Sequence, residues 1–252
     1  MKIVVIGGTG LIGAKAVKKL KQLGHETIAA APSTGVNTIT GEGLTEALTG
    51  TDVVVDIANS PSFDDQAAMD FFQTAGRKLI TAEVAAGVKH HVALSVVGTE
   101  RLQDSGYFRA KLAQEILIKK SPIPFTLIRA TQFFEFVRAI AQFSTTGDTV
   151  NLPPVLFQPI AAEDVAIAIA HAALAEPLND TLEIAGPDTF MLDEPIRKVL
   201  KYDNAIQKVN IDPKAPYFGV KAKRETLVPD IGAHLGSITF DEWLNQTPSP
   251  SS

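Results

Sequence analysis

Cysteine is absent from this sequence of 252 residues. Disulfide scaffolds, thiolate metal sites and cysteine nucleophiles are therefore excluded. An excess of positive charge is absent too, because the formal net charge is −5, whereas a nucleic-acid or anionic-membrane partner usually requires a basic face. Aromatic residues make up only 7% of the chain, but hydrophobic residues make up 45%, which is enough for a packed core. We expect one large globular domain, or one domain with a small addition.

Long hydrophobic runs are also lacking. The apolar stretch after Lys2 is interrupted by Gly7, Gly8 and Gly10, and no small-residue cleavage pattern follows it, so a signal peptide is not indicated. No uninterrupted apolar run reaches the length that crosses a bilayer. The sequence therefore predicts a cytoplasmic protein without a membrane partner or a nucleic-acid partner.

Short apolar runs instead alternate with amphipathic segments along most of the chain. Strands are predicted at 2–6, 26–31, 52–58, 90–98 and 124–130, and helices at 11–23, 44–50, 64–86, 107–119 and 161–175. Strands that alternate with helices imply right-handed βαβ crossovers and a parallel sheet. The predicted fold class is α/β, with a doubly wound parallel sheet.

The regular alternation weakens after about residue 185. Residues 186–245 mix short helical stretches with prolines, and we expect them to form a smaller subdomain over the C-terminal edge of the sheet. The end of the chain reads "TPSPSS", so a disordered tail is predicted over 246–252. The predicted organisation is thus a main domain at 1–185, a C-terminal subdomain at 186–245 and the tail.

The glycines of "GGTGLIG" follow the first strand and open the first helix. Gly7, Gly10 and Gly13 are spaced so that the backbone can turn tightly and approach a pyrophosphate, while the helix N-terminus offers unpaired N–H groups and a positive dipole end. The alternative is a tight turn without a ligand. The context favours a dinucleotide site formed by Gly7, Thr9, Gly10, Leu11, Ile12 and Gly13.

The residues after the second strand bear on which dinucleotide is bound. Glu26 lies at the usual distance for an acid that binds the ribose 2′-hydroxyl, but it starts its strand and so lies at the wrong end of the sheet. The C-terminal end of that strand reads "AAAPST", in which Ser33 and Thr34 could hydrogen-bond either NAD or NADP. Since no carboxylate is present to repel a 2′-phosphate, NADP is slightly favoured over NAD.

Three further residues occur in an order that suits carbonyl reduction. Ser95 ends a strand, where a parallel sheet presents residues to its ligand crevice, and Tyr107 and Lys111 share one face of the next helix. Tyr107 would donate a proton, and Ser95 would orient the carbonyl oxygen. Lys111 would bind the cofactor near the nicotinamide ribose and lower the pKa of the tyrosine. An isolated tyrosine–lysine pair is more often a solvated helix face, so the order of the motifs is what favours catalysis.

The chain resembles the short-chain dehydrogenase/reductase superfamily, in particular its atypical, NmrA-like branch of NAD(P)-binding proteins. The resemblance rests on "GGTGLIG", "GTDVVVDIANSP", "HHVALSVVG", "YFRAKLAQE", "FTLIRATQFFEF" and "FQPIAAEDVA", in that order. It implies a Rossmann-type fold, a dinucleotide bound by the domain 1–185 and a substrate beneath the subdomain 186–245. It also implies that Ala58 and Asn59 lie on the nicotinamide side. Two features depart from the family, which often has arginine after the second strand and aspartate after the third.

Phenylalanines cluster after the strand at 124–130, within the segment 131–160 that borders the substrate in the resembling fold. A pocket lined by them favours a flat or apolar substrate, such as an aromatic ketone or quinone, although core packing is the better account of most of them. Gln132 and Phe133 are the candidate substrate residues. A structural ion pair is expected for Arg129 and a helix anchor for Asp164. His90 and His91 lack metal-ligand spacing, so no metal site is predicted.

Three functions are compatible with these motifs. The leading hypothesis is an NAD(P)-dependent oxidoreductase that transfers hydride to or from a carbonyl, hydroxyl or quinone group of a small apolar or aromatic molecule. The second is a regulator that senses the nucleotide and binds a protein without turnover. The third is an isomerase or dehydratase with tightly held NAD. The expected partner is a small-molecule substrate, and the chain could form a homodimer.

Overall fold

The computed structural model describes residues 1–248. Twelve strands follow in chain order: β1 (Lys2–Ile6), β2 (Glu26–Ala30), β3 (Val53–Asp56), β4 (His90–Val96), β5 (Phe125–Ala130), β6 (Thr145–Thr146), β7 (Thr149–Leu152), β8 (Leu156–Phe157), β9 (Asp180–Ala185), β10 (Phe190–Met191), β11 (Lys208–Ile211) and β12 (His234–Leu235). The helices are α1 (Leu11–Gln22), α2 (Leu44–Leu48), α3 (Asp65–Ala86), α4 (Gly106–Lys119), α5 (Val137–Phe143), α6 (Ala162–Leu174), α7 (Asp193–Tyr202) and α8 (Phe240–Gln246).

Seven parallel strands form the central sheet in the order β12-β9-β5-β4-β3-β1-β2. The predicted α/β class with a doubly wound parallel sheet is confirmed, and each predicted strand or helix lies within two residues of the observed bounds. Two strands of this sheet, β9 and β12, were not predicted. The strand order reverses direction beside β1, which places a ligand crevice at the C-terminal ends of β1 and β3.

The residues of β1 show how the sheet is covered on both faces. Ile3 and Val5 pack into one apolar cluster with α1 and α6, whereas Val4 and Ile6 pack into another with α2 and α3. Because side chains alternate along a strand, an uninterrupted apolar strand is buried on both sides. This burial holds the end of β1 fixed at the point where the glycines begin.

A third apolar cluster lies over the C-terminal edge of the sheet. It joins residues of the segment 131–160, among them Phe134 and Phe157, to residues beyond 185, among them Leu192, Ile196 and Phe240. Two small sheets, β10-β8 and β11-β7-β6, brace the same region. The chain then returns to the central sheet at β12, which pairs in parallel with β9.

The segment that leads into α8 is fastened to the main domain by Asp164. The carboxylate of Asp164 on α6 accepts hydrogen bonds from the Ser237 and Ile238 N–H groups at 3.1 and 3.0 Å. Asp164 thus anchors the C-terminal segment to its helix. Of the tail predicted at 246–252, Gln246 is the last residue of α8, and residues 249–252 lie outside the described part of the chain. Within residues 1–248, no helix is both long and apolar enough to cross a membrane.

Candidate functional site

The glycines after β1 form a turn that side chains would block. Gly7 has a φ of +77°, and a Cβ there would lie 2.9 Å from the backbone nitrogen of Ala58. A Cβ on Gly13 would lie 2.1 Å from the Gly7 carbonyl oxygen. The first hydrogen bond at the start of α1 runs from Ala14 N–H to the Gly10 oxygen at 2.9 Å. The N–H groups of residues 11–13 therefore remain available to an anion, as a pyrophosphate site requires.

These glycines open onto a cleft of about 790 Å³, called here the glycine cleft. The structure brings together in its wall these residues predicted to bind cofactor: Gly7, Thr9, Gly10, Leu11, Ile12, Gly13, Ala58, Asn59 and Lys111. The residues present fit a dinucleotide. The glycines allow a pyrophosphate to approach the backbone and its free N–H groups, and Asn59 and Lys111 supply polar side chains to the same wall.

Sequence inspection missed the wall formed by Asn37, Thr38 and Ile39. The Asn37 side-chain oxygen accepts hydrogen bonds from Ile39 N–H at 2.8 Å and Thr40 N–H at 3.2 Å, and Lys78 on α3 donates to the Ile39 carbonyl at 2.6 Å. An asparagine that bonds to the backbone two residues later is a recognisable turn signal. That signal in "VNTITG" could have identified this loop as ordered.

Ser33 and Thr34, predicted to touch the ribose, do not line the glycine cleft; Ala31 and Pro32 line it instead. Pro32–Thr34 form a single 3-10 turn. The Thr34 hydroxyl lies 2.9 Å from the Ala29 carbonyl oxygen and accepts from Ala31 N–H at 2.9 Å. Thr34 therefore stabilises the turn, and Ser33 is an exposed residue beside the cleft.

Ser95 has a different hydrogen-bond partner from the one expected. It is buried at the end of β4, and its hydroxyl donates to the Glu115 carboxylate at 2.6 Å. A serine hydroxyl has one proton, and a bond to an ionised carboxylate is about twice as strong as a neutral one. The Ser95 hydroxyl was expected to donate to a substrate carbonyl, but it donates to Glu115 instead. Ser95 nevertheless lines both the glycine cleft and a second cavity, which is described below.

Tyr107 opens α4 and lies where two cavities meet. Its side chain lines the glycine cleft and a second cavity of about 800 Å³, called here the aromatic cleft. The Tyr107 hydroxyl donates to the Asn59 side-chain oxygen at 3.0 Å. Burial raises the pKa of Tyr107 to about 12, so the hydroxyl keeps its proton at neutral pH. Asn59 is exposed, which allows a substrate oxygen to take its place as acceptor.

Lys111 lies one turn further along α4 and is buried. Its ammonium donates to the Leu94 carbonyl at 2.9 Å and to the Gln114 side-chain oxygen at 2.5 Å, and Gln114 donates in turn to Asp56 at 2.9 Å. Burial lowers the pKa of Lys111 to about 8, although the carboxylates of Asp56 and Glu115 oppose this shift. Sequence inspection found Lys111 but missed Gln114 and Asp56, which hold it.

The lowered pKa of Lys111 predicts a stability change with pH. Between about pH 8 and the ordinary lysine value of 10.5, the unfolded chain binds this proton more fully than the folded chain. The contribution of Lys111 to the free energy of unfolding therefore rises with pH, by on the order of 2 kcal/mol up to about pH 10. Urea unfolding of wild type and of Lys111→Met, each at about pH 8 and about pH 10, measures how the difference in their free energies of unfolding changes with pH. Lys119→Met, at the exposed end of α4, is the matched control. A wild-type-to-Lys111→Met difference that is constant with pH contradicts it.

The aromatic cleft contains both predicted substrate residues. Gln132 and Phe133 line it, and Phe133 also lines the glycine cleft. Phe136 and Phe143 face the same cavity, as do Tyr217, Phe218 and Val220 from the segment after β11. The last three were missed, because nothing in "APYFGV" indicates that it folds over residues 131–160. Phe134 and Phe157, by contrast, are buried in the core, as the packing alternative predicted.

The remaining polar candidates have structural partners. Arg129 donates to Glu115 through two nitrogens, at 3.0 and 2.8 Å, which is the ion pair expected for it. His91 contacts buried Glu83 at 2.8 Å, and although burial disfavours its charged form, Glu83 holds its pKa above the ordinary value. Residues 1–248 contain no cluster of side chains that could hold a metal ion.

A family model described as NAD(P)H-binding matches residues 7–176, which is more than half of the chain. The chain belongs to this NAD(P)H-binding family. The match begins at Gly7, the first glycine of the turn after β1, and ends just after α6. It therefore covers the glycines of the glycine cleft and the helix α4. A nicotinamide cofactor is therefore supported for the domain.

Among curated proteins, this member of the NAD(P)H-binding family is similar to the photosystem II assembly factor Ycf39 of Cyanophora paradoxa. The two are 26% identical over 149 residues, which is 54% of this chain and 46% of that protein. The matched part is thus less than half the length of that relative.

Solved structures share the fold at low identity. A short-chain dehydrogenase/reductase superfamily protein of Agrobacterium tumefaciens with bound NAD has a TM-score of 0.72 at 16% identity, over 98% of this chain and 95% of that one. A dTDP-4-dehydrorhamnose reductase of Clostridium acetobutylicum has a TM-score of 0.70 at 16% identity, over 93% and 95%. A UDP-N-acetylglucosamine 4-epimerase of Bacillus cereus has 0.63 at 19%, over 84% and 88%. At these identities the likeness shows the fold alone.

Proposed function

We propose that the chain is an NAD(P)-dependent oxidoreductase that transfers hydride to or from a carbonyl, hydroxyl or quinone group of a small apolar or aromatic molecule. One observation carries the proposal: Tyr107 lines both the glycine cleft and the aromatic cleft, and its hydroxyl bonds to Asn59, which lines both as well. A proton donor at this junction can reach a substrate in one cleft beside a cofactor in the other.

The protein's own part in the reaction is proton transfer and positioning. When bound, the reduced nicotinamide supplies a hydride and leaves oxidised. As the substrate carbon gains that hydride, the carbonyl π bond breaks, and the Tyr107 hydroxyl gives its proton to the oxygen, which completes an alcohol. Lys111, charged below about pH 8, places a positive charge one turn further along the same face of α4. The expected lowering of the Tyr107 pKa by Lys111 is not found, because burial raises that pKa to about 12. Asn59, which accepts from Tyr107 at 3.0 Å, orients the hydroxyl before substrate binds.

The walls of the glycine cleft predict weak discrimination between the two dinucleotides. In the described part of the chain, Lys111 is the one charged residue in this wall, and it lies on the α4 side, away from Ala31 and Pro32. Near Ala31 and Pro32 the wall has no acid that would repel the 2′-phosphate of NADP, which is the reason to favour NADP. The wall also has no cation there that would bind this phosphate. A charged hydrogen bond is worth about 1.5–3 kcal/mol, so we expect dissociation constants for NADPH and NADH within about tenfold of each other.

Calorimetric titration with both cofactors measures this ratio. Ser33→Arg, which places a cation on the exposed turn beside Pro32, should tighten NADPH binding by about tenfold and leave NADH binding unchanged. Ser62→Arg, on the loop before α3 and outside the glycine-cleft wall, is a matched control. A wild-type preference for either dinucleotide above about a hundredfold would contradict the expectation.

Transfer of an isotope tests the proposed activity directly. Reduced nicotinamide carrying deuterium at its transferable position is incubated with the protein and a panel of aromatic aldehydes, ketones and quinones. The expected result is deuterium on the former carbonyl carbon, or label loss with quinone reduction. Nucleotide that copurifies and shows no net consumption points instead to an isomerase or dehydratase. Tight binding without label transfer across the panel argues against turnover.

Ser95 favours a second candidate, a nucleotide-sensing regulator without turnover. The Ser95 hydroxyl donates to the Glu115 carboxylate at 2.6 Å, so the expected serine, tyrosine and lysine do not form one catalytic set. The partial match to an assembly factor is compatible with such a role. This candidate predicts different affinities for the oxidised and reduced dinucleotide and no label transfer to any member of the panel.

A further inference from the structure

The aromatic cleft is walled by rings in contact with one another. Phe136 and Phe218 are stacked, with centroids 5.7 Å apart and an interplanar angle of 17°. Phe143 and Tyr217 meet the Phe218 ring edge-on, at 5.3 and 4.9 Å. A wall of this kind offers a planar ligand the stacked and edge-to-face contacts that aromatic rings prefer.

Two residues that line the cleft each carry a buried polar atom directly behind its surface. The Thr131 hydroxyl oxygen and the Gln132 side-chain oxygen have no hydrogen-bond partner within residues 1–248. Thr131 is 1% exposed and Gln132 is 8% exposed, and both line the aromatic cleft. An unpaired buried polar atom is costly, and a ligand group that pairs with it recovers that free energy. The Gln132 oxygen is an acceptor, so it requires a donor from the ligand.

The charges of the cleft select against anions. Among the described residues that line it, the charged ones are Asp65 and Asp104, both acidic. The Asp65 carboxylate is paired with Arg109 at 2.8 Å, and Arg109 does not line the cleft. A nucleoside diphosphate would bring at least two negative charges into a cavity whose wall offers carboxylates and no cation.

We infer that the aromatic cleft binds a neutral, planar aryl compound bearing a hydrogen-bond donor, such as a phenolic hydroxyl, that pairs with the Gln132 oxygen, and that it rejects nucleoside diphosphates. The inference rests on the proposed function in one respect: it takes this cleft as the substrate side, with the reacting group of the ligand at Tyr107. Gln132 is then the residue that determines specificity for the donor group of the ligand.

Equilibrium binding tests this without any turnover. The probes are 2-naphthol, naphthalene and UDP-glucose, titrated into the full chain with NADH present and followed by protein fluorescence or calorimetry. We expect 2-naphthol to bind about tenfold or more tightly than naphthalene, because only the former pairs with Gln132. UDP-glucose should not displace 2-naphthol. Equal affinity of the two naphthyl probes, or tighter binding of UDP-glucose, overturns the inference.

Substitution of Gln132 assigns the effect to one atom. In Gln132→Leu the ratio of the two naphthyl affinities should fall to about one, chiefly through weaker binding of 2-naphthol. Gln142→Leu on α5, which lies outside the cleft wall, should keep the wild-type ratio. Gln132→Met provides the same test with an unbranched side chain, should the leucine variant fold poorly. A ratio that is unchanged in both Gln132 variants contradicts the role of this residue.

The result is distinguishable from the fate of the proposed activity. If the naphthyl selectivity depends on Gln132 but no deuterium is transferred to any substrate, the binding class stands and the oxidoreductase proposal fails. If deuterium is transferred and the selectivity does not depend on Gln132, the oxidoreductase proposal stands and the inference about the binding class fails.

Discussion

Replacing Tyr107 with phenylalanine should lower kcat for hydride transfer by about 10²–10⁴-fold, the usual contribution of a positioned general acid. The substitution removes one oxygen, the donor to Asn59 at 3.0 Å, and keeps the ring that contacts Phe63 and Phe108. Because the aromatic packing is retained, the dissociation constant for the reduced dinucleotide should change by less than about threefold. The measurement is turnover of whichever carbonyl substrate accepts deuterium, together with calorimetric binding of the cofactor.

Tyr202→Phe is the matched control for this experiment. The Tyr202 hydroxyl donates to the Thr247 carbonyl at 2.8 Å, and Tyr202 lines neither cleft, so its loss should leave kcat unchanged. Full turnover by Tyr107→Phe would falsify the proton-donor role. An equal loss of activity in both variants would attribute the effect to stability.

The second large effect is expected from Arg129, in stability rather than in turnover. Arg129→Met should lower the free energy of unfolding by about 3–5 kcal/mol, because it leaves the Glu115 carboxylate buried without its cation. Arg129 contacts Glu115 at 2.8 Å and Glu100 at 2.7 Å, and the Glu115 side chain is only 1% exposed. Urea unfolding at neutral pH measures the change.

Two comparisons separate this from a general effect of removing an arginine. Arg197→Met breaks the pair with Asp193 at 2.9 Å, where the arginine side chain is 50% exposed, and should cost less than about 1 kcal/mol. The double variant Glu115→Leu/Arg129→Met removes both charges and should be more stable than Arg129→Met alone. If the double variant is the less stable, then the buried carboxylate is not the cause.

The elements that the sequence revealed are those with a strong local pattern. Apolar runs form most of β1, at residues 3–6, and most of β3, at residues 53–55. The helix α3 is preceded by a capping aspartate, Asp64, and followed by Gly87 with a φ of +71°. β12 consists of only two residues, and both are exposed. It forms a strand because it pairs with β9. That pairing comes from tertiary structure, so no periodicity in "HL" could have indicated it.

The candidate site was predictable in its elements but not in its hydrogen bonds. The order of Ser95, Tyr107 and Lys111 placed each on the correct strand or helix, whereas the partner of Ser95 depends on which side chains α4 buries. Lys111 and Glu115 are four residues apart and therefore share the face that packs on the sheet. Glu115, an acid four residues after Lys111, could therefore have been recognised as a hydrogen-bond acceptor that competes with a substrate for the Ser95 hydroxyl.

The route of the chain after β9 limits how the aromatic cleft can open. Residues 186–233 leave the central sheet at one strand and rejoin it at the neighbouring strand, and the Asp164 carboxylate fastens the returning segment to α6. This excursion is tethered at both ends, so it cannot swing about a single hinge as a terminal lid does. The loop that carries Tyr217 and Phe218 belongs to this doubly held segment. We therefore expect the shape of the aromatic cleft to be largely preformed, without closure of one domain upon another.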